Sequence, residues 1–161
     1  MKTELKSSCS VADYDVNYFD SLTKDQLKLI KENEVIVNYS KGETICKQGA
    51  FASHIVVIEE GFVKITIEDC TKSLGWKVIT EGNILGLTAL SEHTTTFQYS
   101  AVAYVPTKAR LIDVKVFKRI AKENPEFSYN LLSLLAANNV QIDGRFFCLT
   151  NKQSYGKLAD I

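Results

Sequence analysis

Histidine and closely spaced cysteine are scarce in this sequence, which argues against most metal-based sites. The 161 residues include two His and four Cys, and the cysteines at positions 9, 46, 70 and 148 form no C-x-x-C pair. Structural metal sites and iron–sulfur clusters need such ligands at short spacing. No disulfide framework is indicated either, so we interpret all four cysteines as free thiols in a reducing compartment. We expect no metal site, and the sequence leaves any cofactor unknown.

An excess of one charge and long hydrophobic runs are also lacking. The 19 Lys and Arg balance the 19 Asp and Glu, so no overall basic field attracts nucleic acid. Residues 115–161 alone lean basic, with seven Lys and Arg against four Asp and Glu. No segment approaches the roughly 18 apolar residues of a membrane span, and the N-terminus does not resemble a signal peptide. We therefore expect a cytoplasmic protein without a membrane partner.

Proline and glycine are few, and no group of residues suggests a nucleophile. With 2 Pro, 8 Gly and 45% hydrophobic residues, the composition is typical of a globular chain of one domain. The sequence offers no Ser-His-Asp or Cys-His arrangement that favours catalysis. We expect that the protein is not an enzyme.

The first third of the chain contains a clear helix signal and the start of a β region. Residues 1–20 are a polar lead-in without a regular period. Thr23, followed three residues later by Gln26, forms a capping-box pattern that predicts a short helix ending near Glu32. Seven short β-branched runs then follow between residues 35 and 113, separated by glycines or polar clusters. This spacing predicts an antiparallel roll or sandwich of about eight strands.

Individual residues in the β region indicate which faces are buried and where the chain turns. Val63, Ile65 and Ile67 alternate with polar residues, so one face of that strand should be buried. Gly61 and Gly86 fall between strand runs, where tight turns need a positive φ. The predicted fold class is mainly β with flanking α helices.

A long helix is predicted to begin at Asn124-Pro125, because Asn is a favoured N-cap and Pro a favoured first helical residue. One apolar seam of this helix follows steps of three and four and contains a polar Asn: Leu131, Leu135, Asn138, Ile142, Phe146 and Leu149. A second apolar flank consists of Leu132, Ala136, Val140 and Phe147. Two apolar flanks need two partners, and we expect these to be the chain's own roll and, at the seam, the same helix of a second subunit. The alternative is a helix buried wholly within the monomer.

The ordered glycine pattern of the β region resembles that of a known family. Its residues are Lys41-Gly42-Glu43-Thr44-Ile45, Gln48-Gly49, the hydrophobic strand 55–58, Glu60-Gly61-Phe62-Val63-Lys64 and Glu81-Gly82-Asn83-Ile84-Leu85-Gly86. This pattern is similar to the cyclic-nucleotide-binding β roll, over roughly residues 20–150. The long helix and the segment Asn151-Lys152-Gln153-Ser154-Tyr155-Gly156 that follows it resemble the Crp/Fnr transcription regulators.

The resemblance implies a double-stranded β-helix, or jelly roll, with a long C-terminal dimerisation helix. It divides the chain into a lead-in (1–20), a cyclic-nucleotide-binding-like roll with flanking helices (21–124), a dimerisation helix (125–150) and the start of a truncated winged helix-turn-helix domain (151–161). In such a regulator DNA is contacted through the domain that is missing here.

The resemblance weakens at the ligand pocket. In family members that bind cyclic AMP, an Arg before a Ser-Ala or Thr-Ala pair neutralises the phosphate, and a Glu after the turn glycine accepts from the ribose hydroxyl. This sequence has Tyr99 and Leu87 at those two positions. A phosphate buried without its cation costs a few kcal/mol, so the sequence predicts weak cyclic AMP binding.

The hydroxyl-rich segment 91–100 is compatible with a different, less charged small-molecule effector. The candidate ligand-binding residues are Gly86, Leu87, Thr95, Gln98, Tyr99 and Ser100, with Asn138 and Ile142 on the long helix. The alternative is a solvated loop above a filled core, because hydroxyl clusters often mark loops.

From these patterns we expect the effector-sensing and dimerisation domain of a Crp/Fnr-like regulator, which shifts its two long helices when an effector binds. Two alternatives remain open. One is a stand-alone cyclic-nucleotide-binding module that regulates a partner enzyme. The other is an orphan sensor without a small ligand, whose roll interior would already be filled by Phe97 and Tyr99.

Overall fold

The computed structural model describes residues 18–69 and 72–151, with side chains described at 18–68, at 75 and at 77–139. The lead-in up to residue 17 and the C-terminal segment from residue 152 lie outside the described residues. The elements are α1 (Lys24–Glu32), β1 (Glu34–Tyr39), β2 (Thr44–Cys46), β3 (His54–Glu60), β4 (Val63–Asp69), β5 (Lys72–Ile79), β6 (Ile84–Leu85), a 3₁₀ helix (Leu87–Leu90), β7 (Ser100–Ala103), β8 (Thr107–Asp113), α2 (Val114–Glu123) and α3 (Pro125–Asn151).

The eight strands form two four-stranded antiparallel sheets, which confirms the jelly-roll prediction. The first sheet has the order β1-β8-β3-β6 and the second the order β2-β7-β4-β5. Buried side chains from both sheets meet between them in one cluster, with Val56 and Ala109 from the first sheet and Val63 and Ala101 from the second. Strand β6 has only two residues, which is too short for a recognisable alternating pattern.

Strand β3 is buried on both faces, which explains its unbroken apolar run. Val56 and Ile58 face the second sheet, whereas Ile55 and Val57 belong to a second core shared with the helices. Because neighbouring residues in a strand point to opposite faces, a strand covered on both sides needs apolar residues at every position. The first sheet is therefore the middle layer between the second sheet and the helices.

Strand β4 departs from the predicted alternation at its far end. Val63 and Ile65 are fully buried, but Ile67 is 36% exposed, so the prediction that it faces the core is wrong. Pairing of β4 with β7 runs from Val63 to Thr66, and the register with β5 shifts after Ile65. Ile67 thus lies beyond the part of β4 that is flanked by both neighbouring strands.

The turn between β3 and β4 depends on a glycine. Gly61 has a φ of +102°, and a Cβ atom there would lie 2.6 Å from Thr107 Oγ1 and 2.7 Å from the Pro106 carbonyl oxygen. A side chain at this position would be strained and would collide with the β7–β8 turn. The sequence prediction of a positive φ at Gly61 is confirmed.

The helix boundaries follow the predicted caps. Thr23 and Gln26 form the capping box, with the Gln26 N–H donating to Thr23 Oγ1 at 3.3 Å and the Thr23 N–H donating to Gln26 Oε1 at 3.1 Å. The Asn124 side chain accepts from the Phe127 N–H at 3.0 Å and donates to the Ser21 carbonyl at 2.8 Å. Asn124 therefore caps α3 and also ties it to the turn that precedes α1.

The inner face of α3 packs against the chain's own helices. Phe127 is fully buried, Leu131 is 4% exposed and Leu134 is 5% exposed, and the Phe117 and Phe127 rings meet edge to face at 5.3 Å. Leu131 was expected at a subunit interface, but its burial in this core leaves no free surface for a partner. Leu132, assigned to the other flank, is instead 61% exposed. In the described part of α3, the exposed apolar face is therefore rotated about the helix axis from the predicted seam.

Candidate ligand site

The candidate site lies where β6 ends and the 3₁₀ helix begins. We call it the roll site and define it as Gly86–Leu90 together with Phe97–Ser100. Gly86 has a φ of +83° and starts the helix. Leu87 then packs into the core shared with α2 and α3, whereas Ala89 packs into the core between the sheets. This one-turn helix therefore touches both cores of the molecule.

The Tyr99 hydroxyl group lies at the beginning of the 3₁₀ helix. The Gly86 N–H donates to Tyr99 Oη at 3.1 Å. Burial raises the pKa of the Tyr99 phenol to about 12, although the hydrogen bond from Gly86 acts in the opposite direction. Tyr99 is therefore neutral at physiological pH, and a helix-start N–H that could serve an anion is already engaged.

Phe97 fills the space beneath Gly86. Its side chain is 7% exposed and belongs to the core between the sheets, with Tyr99 packed against the same cluster. A Cβ atom at Gly86 would lie 3.1 Å from Phe97 Cε1 and 3.2 Å from the His54 carbonyl oxygen. Glycine at this position thus permits both the positive φ and the close approach of the aromatic ring.

Ser100 and Gln48 connect the roll site to the β4–β5 hairpin. Ser100 Oγ accepts from the Gln48 N–H at 3.1 Å. The Gln48 side chain then donates to the Glu68 carbonyl at 3.1 Å and accepts from the Glu68 N–H at 2.8 Å. The Gln48 side chain thereby pairs with the backbone of Glu68 as a neighbouring strand would. Its role was missed from the sequence, because the partners are 20 positions apart.

The remaining candidate ligand residues have exposed side chains or lie on α3. Thr95 and Gln98 are exposed, and the Gln98 amide folds back to donate to the carbonyl and hydroxyl of Thr96. Asn138 is half-buried on α3, and the side chain of Ile142 lies outside the described part. The structure therefore brings together Gly86, Leu87, Tyr99 and Ser100 of the eight predicted residues.

The roll site has no cationic side chain of its own. The stretch from Val78 to Thr107 contains neither Lys nor Arg, and the side chain of its one histidine, His93, is exposed. Within the described residues, no group of three or more His, Cys, Asp and Glu side chains could hold a metal ion. Chemically, the site offers hydroxyl groups, backbone amides and apolar surface.

Cys46 lies near this site in the core between the sheets. It is a free thiol with 6% exposure, and burial raises its pKa to about 12. A thiol of this kind is not ionised at neutral pH and behaves as a small apolar side chain. Cys9 and Cys70 lie outside the described residues, as does the side chain of Cys148.

Residues 36–124 match the family model described as the cyclic nucleotide-binding domain. The chain belongs to this family. The glycine turns and the two-sheet roll of this cyclic nucleotide-binding domain are those that the sequence pattern indicated. Among the described helices, none is both long enough and apolar enough to span a membrane.

Several solved structures share this fold. The sensor domain of the transcriptional regulator DNR from Pseudomonas aeruginosa is 24% identical with a TM-score of 0.67, over 75% of this chain and 86% of that domain. The Thermus thermophilus catabolite activator protein is 19% identical with a TM-score of 0.67, over 83% of this chain and 62% of that protein. A Eubacterium rectale protein described as a Crp/Fnr-family transcriptional regulator is 15% identical with a TM-score of 0.76, over 86% of this chain and 65% of that protein. The cyclic nucleotide-binding domain described here thus spans less than two thirds of the latter two proteins.

Proposed function

We propose that this chain is the effector-sensing and dimerisation part of a Crp/Fnr-like transcription regulator, with a roll that has diverged from cyclic AMP binding. The fold shared with the DNR sensor domain and the catabolite activator protein supports the regulatory class. The observation that carries the divergence is the hydrogen bond from the Gly86 N–H to Tyr99 Oη.

Charge explains why this arrangement disfavours a cyclic nucleotide. A cyclic phosphate carries a negative charge, and its burial without a cation costs several kcal/mol. Tyr99 stands where the family resemblance expects the phosphate-binding Arg, and its neutral hydroxyl accepts the Gly86 N–H in place of a phosphate oxygen. Leu87 stands where a ribose-binding Glu is expected, and its side chain is packed in the core.

The position of the 3₁₀ helix supports a sensing role. Its residues join the core between the sheets to the core that contains Phe117 of α2 and Phe127 of α3. An effector that displaces Tyr99 from Gly86 would move Leu87 and thereby shift the two C-terminal helices. Such an effector shifts the equilibrium because it binds more tightly to the arrangement without the Tyr99–Gly86 hydrogen bond than to the arrangement with it.

A sensor without any small ligand is the second candidate function. Phe97 is buried and Tyr99 is packed beside it, as a filled roll interior requires. In that version the regulator responds to protein contact or to its own concentration. A stand-alone module that binds cyclic nucleotides tightly is disfavoured by the lack of Lys and Arg from Val78 to Thr107.

Dimerisation is assigned to the outward face of α3. Tyr129, Leu132 and Leu135 are 68%, 61% and 41% exposed, which is unusual for large apolar side chains on one helix. We assign a twofold partner helix to this face, with Leu135 retained from the predicted seam. Asn138, seven residues after the buried Leu131, lies on the inner side of α3. The seam residues Ile142, Phe146 and Leu149 have side chains outside the described part. As the family resemblance implies, we propose that a winged helix-turn-helix domain makes the DNA contact in such a regulator.

Calorimetric titration of the purified chain with cyclic AMP and cyclic GMP tests the proposal directly. We expect no measurable heat of binding. A dissociation constant below about 10 μM, or roughly −7 kcal/mol, would contradict the proposed divergence of the site. A thermal-shift series with the same nucleotides provides an independent readout, because a bound ligand raises the melting temperature.

A further inference from the structure

The outer face of α2 carries a dense cluster of cations. Its four members lie within eight residues, and we call them the α2 basic face: Lys115, Lys118, Arg119 and Lys122. They account for four of the seven Lys and Arg between residues 115 and 161, in a chain whose total charge is zero. Most of the positive charge of residues 115–161 is therefore concentrated on α2.

The helix holds these cations on a rigid support. Phe117 and Ile120 are fully buried on the opposite side, and the Asp113 side chain caps the helix by accepting from the Lys115 N–H at 2.7 Å. Neither Lys115 nor Lys122 forms an ion pair with any residue that the structure describes. Two exposed like charges on a rigid surface thus have no partner within the described part of the chain, so an incoming anion can pair with both.

The remaining two cations have only exposed partners. Arg119 contacts Glu123 at 2.8 Å, one helical turn away, and both side chains are at least half exposed. Lys118 lies 4.0 Å from Glu92, whose side chain is 74% exposed. Exposed pairs of this kind contribute little and exchange readily for another carboxylate.

A shallow cavity of about 310 Å³ lies along the same face. It is lined by Lys115, Lys118, Arg119, Lys122 and Glu123. The methylene stems of these side chains give it an apolar floor, while their charged ends surround the opening. Such a surface suits a segment that combines carboxylates with an apolar side chain.

Acidic residues limit the length of the basic face. Asp113 precedes it, and Glu123 and Glu126 follow it. The distance along the helix from Lys115 to Lys122 is about 10 Å at 1.5 Å per residue. A nucleic acid backbone carries continuous negative charge and would meet these carboxylates, whereas a short acidic peptide would fit between them. We propose that the α2 basic face binds a short acidic segment of a partner protein.

The proposal is tested with a defined probe and a charge-reversed variant. Fluorescence anisotropy measures binding of a fluorescein-labelled peptide of alternating Glu and Leu to the full chain at low salt. We expect saturable binding that weakens at least about tenfold in the variant Lys115→Glu/Arg119→Glu/Lys122→Glu, because each change replaces an attraction by a repulsion. A milder variant, Lys115→Gln/Lys122→Gln, should also weaken binding and covers the case in which the triple variant does not fold.

The matched control lies on α1. The exposed residues Lys24, Lys28 and Lys31 allow the same charge change on a different helix, and that variant should bind the peptide like the unmodified chain. Absence of saturable binding at low salt would overturn the proposal, and so would equal weakening in the α1 variant. Tighter binding of a single-stranded oligonucleotide than of the peptide would overturn it too and indicate a polyanion surface. None of these results depends on cyclic nucleotide binding or on dimerisation.

Discussion

The exposed leucines of α3 predict a dimer that dissociates when charged residues replace them. Leu132 and Leu135 are 61% and 41% exposed in the single chain. Full burial of a leucine contributes roughly 2 kcal/mol, so the exposed fractions of both residues contribute about 2 kcal/mol per protomer. A twofold interface uses each residue twice, which brings the contribution to about 4 kcal/mol. The variant Leu132→Lys/Leu135→Lys should therefore raise the dimer dissociation constant about a thousandfold.

Sedimentation velocity over a range of protein concentrations measures this change. The unmodified chain should sediment as a dimer at micromolar concentration, and the double variant should sediment as a monomer. The control variant Leu27→Lys changes a leucine of similar exposure, 38%, on α1 and should leave the dimer intact. Circular dichroism checks that all three proteins keep the same fold.

Two results would refute this reasoning. A monomeric unmodified chain at micromolar concentration would show that the α3 face has no second copy as its partner. A double variant that dimerises as tightly as the unmodified chain would place the interface elsewhere. The core residues Leu131 and Leu134 are buried in the monomer and are unchanged in the double variant. Disruption of the core would therefore explain neither result.

Three further predictions concern the roll. The variant Tyr99→Phe leaves the Gly86 N–H at the start of the 3₁₀ helix without its acceptor and should lower the free energy of unfolding, measured in urea, by about 1–3 kcal/mol. The control variant Tyr104→Phe changes a residue that is 58% exposed and should alter this free energy by less than about 0.5 kcal/mol. The variant Gly61→Ala should cost at least about 2 kcal/mol, and more than Gly82→Ala, where φ is also positive but a Cβ atom would meet nothing within 4 Å. Stability should fall as the pH rises from about 9 towards 12, because burial raises the pKa of Cys46 and of Tyr99 to about 12 and the unfolded chain ionises first. Replacement of Cys46 by Ala should flatten this decline, and an unchanged slope would contradict the assigned pKa shift.

Local signals in the sequence were sufficient for the helix ends and most strands. Thr23, Gln26 and Asn124 cap helices through contacts within three residues, so the local sequence is sufficient to predict where these helices begin. The glycine turns follow the same logic, since a positive φ is a property of one residue. Strand β6 escaped detection because two residues cannot show a period.

Contacts between distant segments explain the predictions that failed or were incomplete. The exposure of Ile67 depends on where β7 stops pairing with β4, which no pattern within β4 reveals. Leu131 and Leu132 are both apolar, and a heptad pattern does not say which of two flanks faces the chain's own core. Packing of Phe127 against Phe117 decides that question and turns Leu132 outward.

The sequence by itself determined the family and the jelly-roll class, because these rest on residue types in a fixed order. It also predicts that Tyr99 lacks the positive charge that would neutralise a cyclic phosphate and that Leu87 cannot accept a hydrogen bond from the ribose hydroxyl. Only the tertiary structure decided that the Tyr99 hydroxyl reaches the Gly86 N–H and that Leu87 lies in the helical core. The physical reason is that hydrogen bonds and burial depend on three-dimensional distance, and residues 86 and 99 are joined by folding rather than by neighbouring positions in the chain.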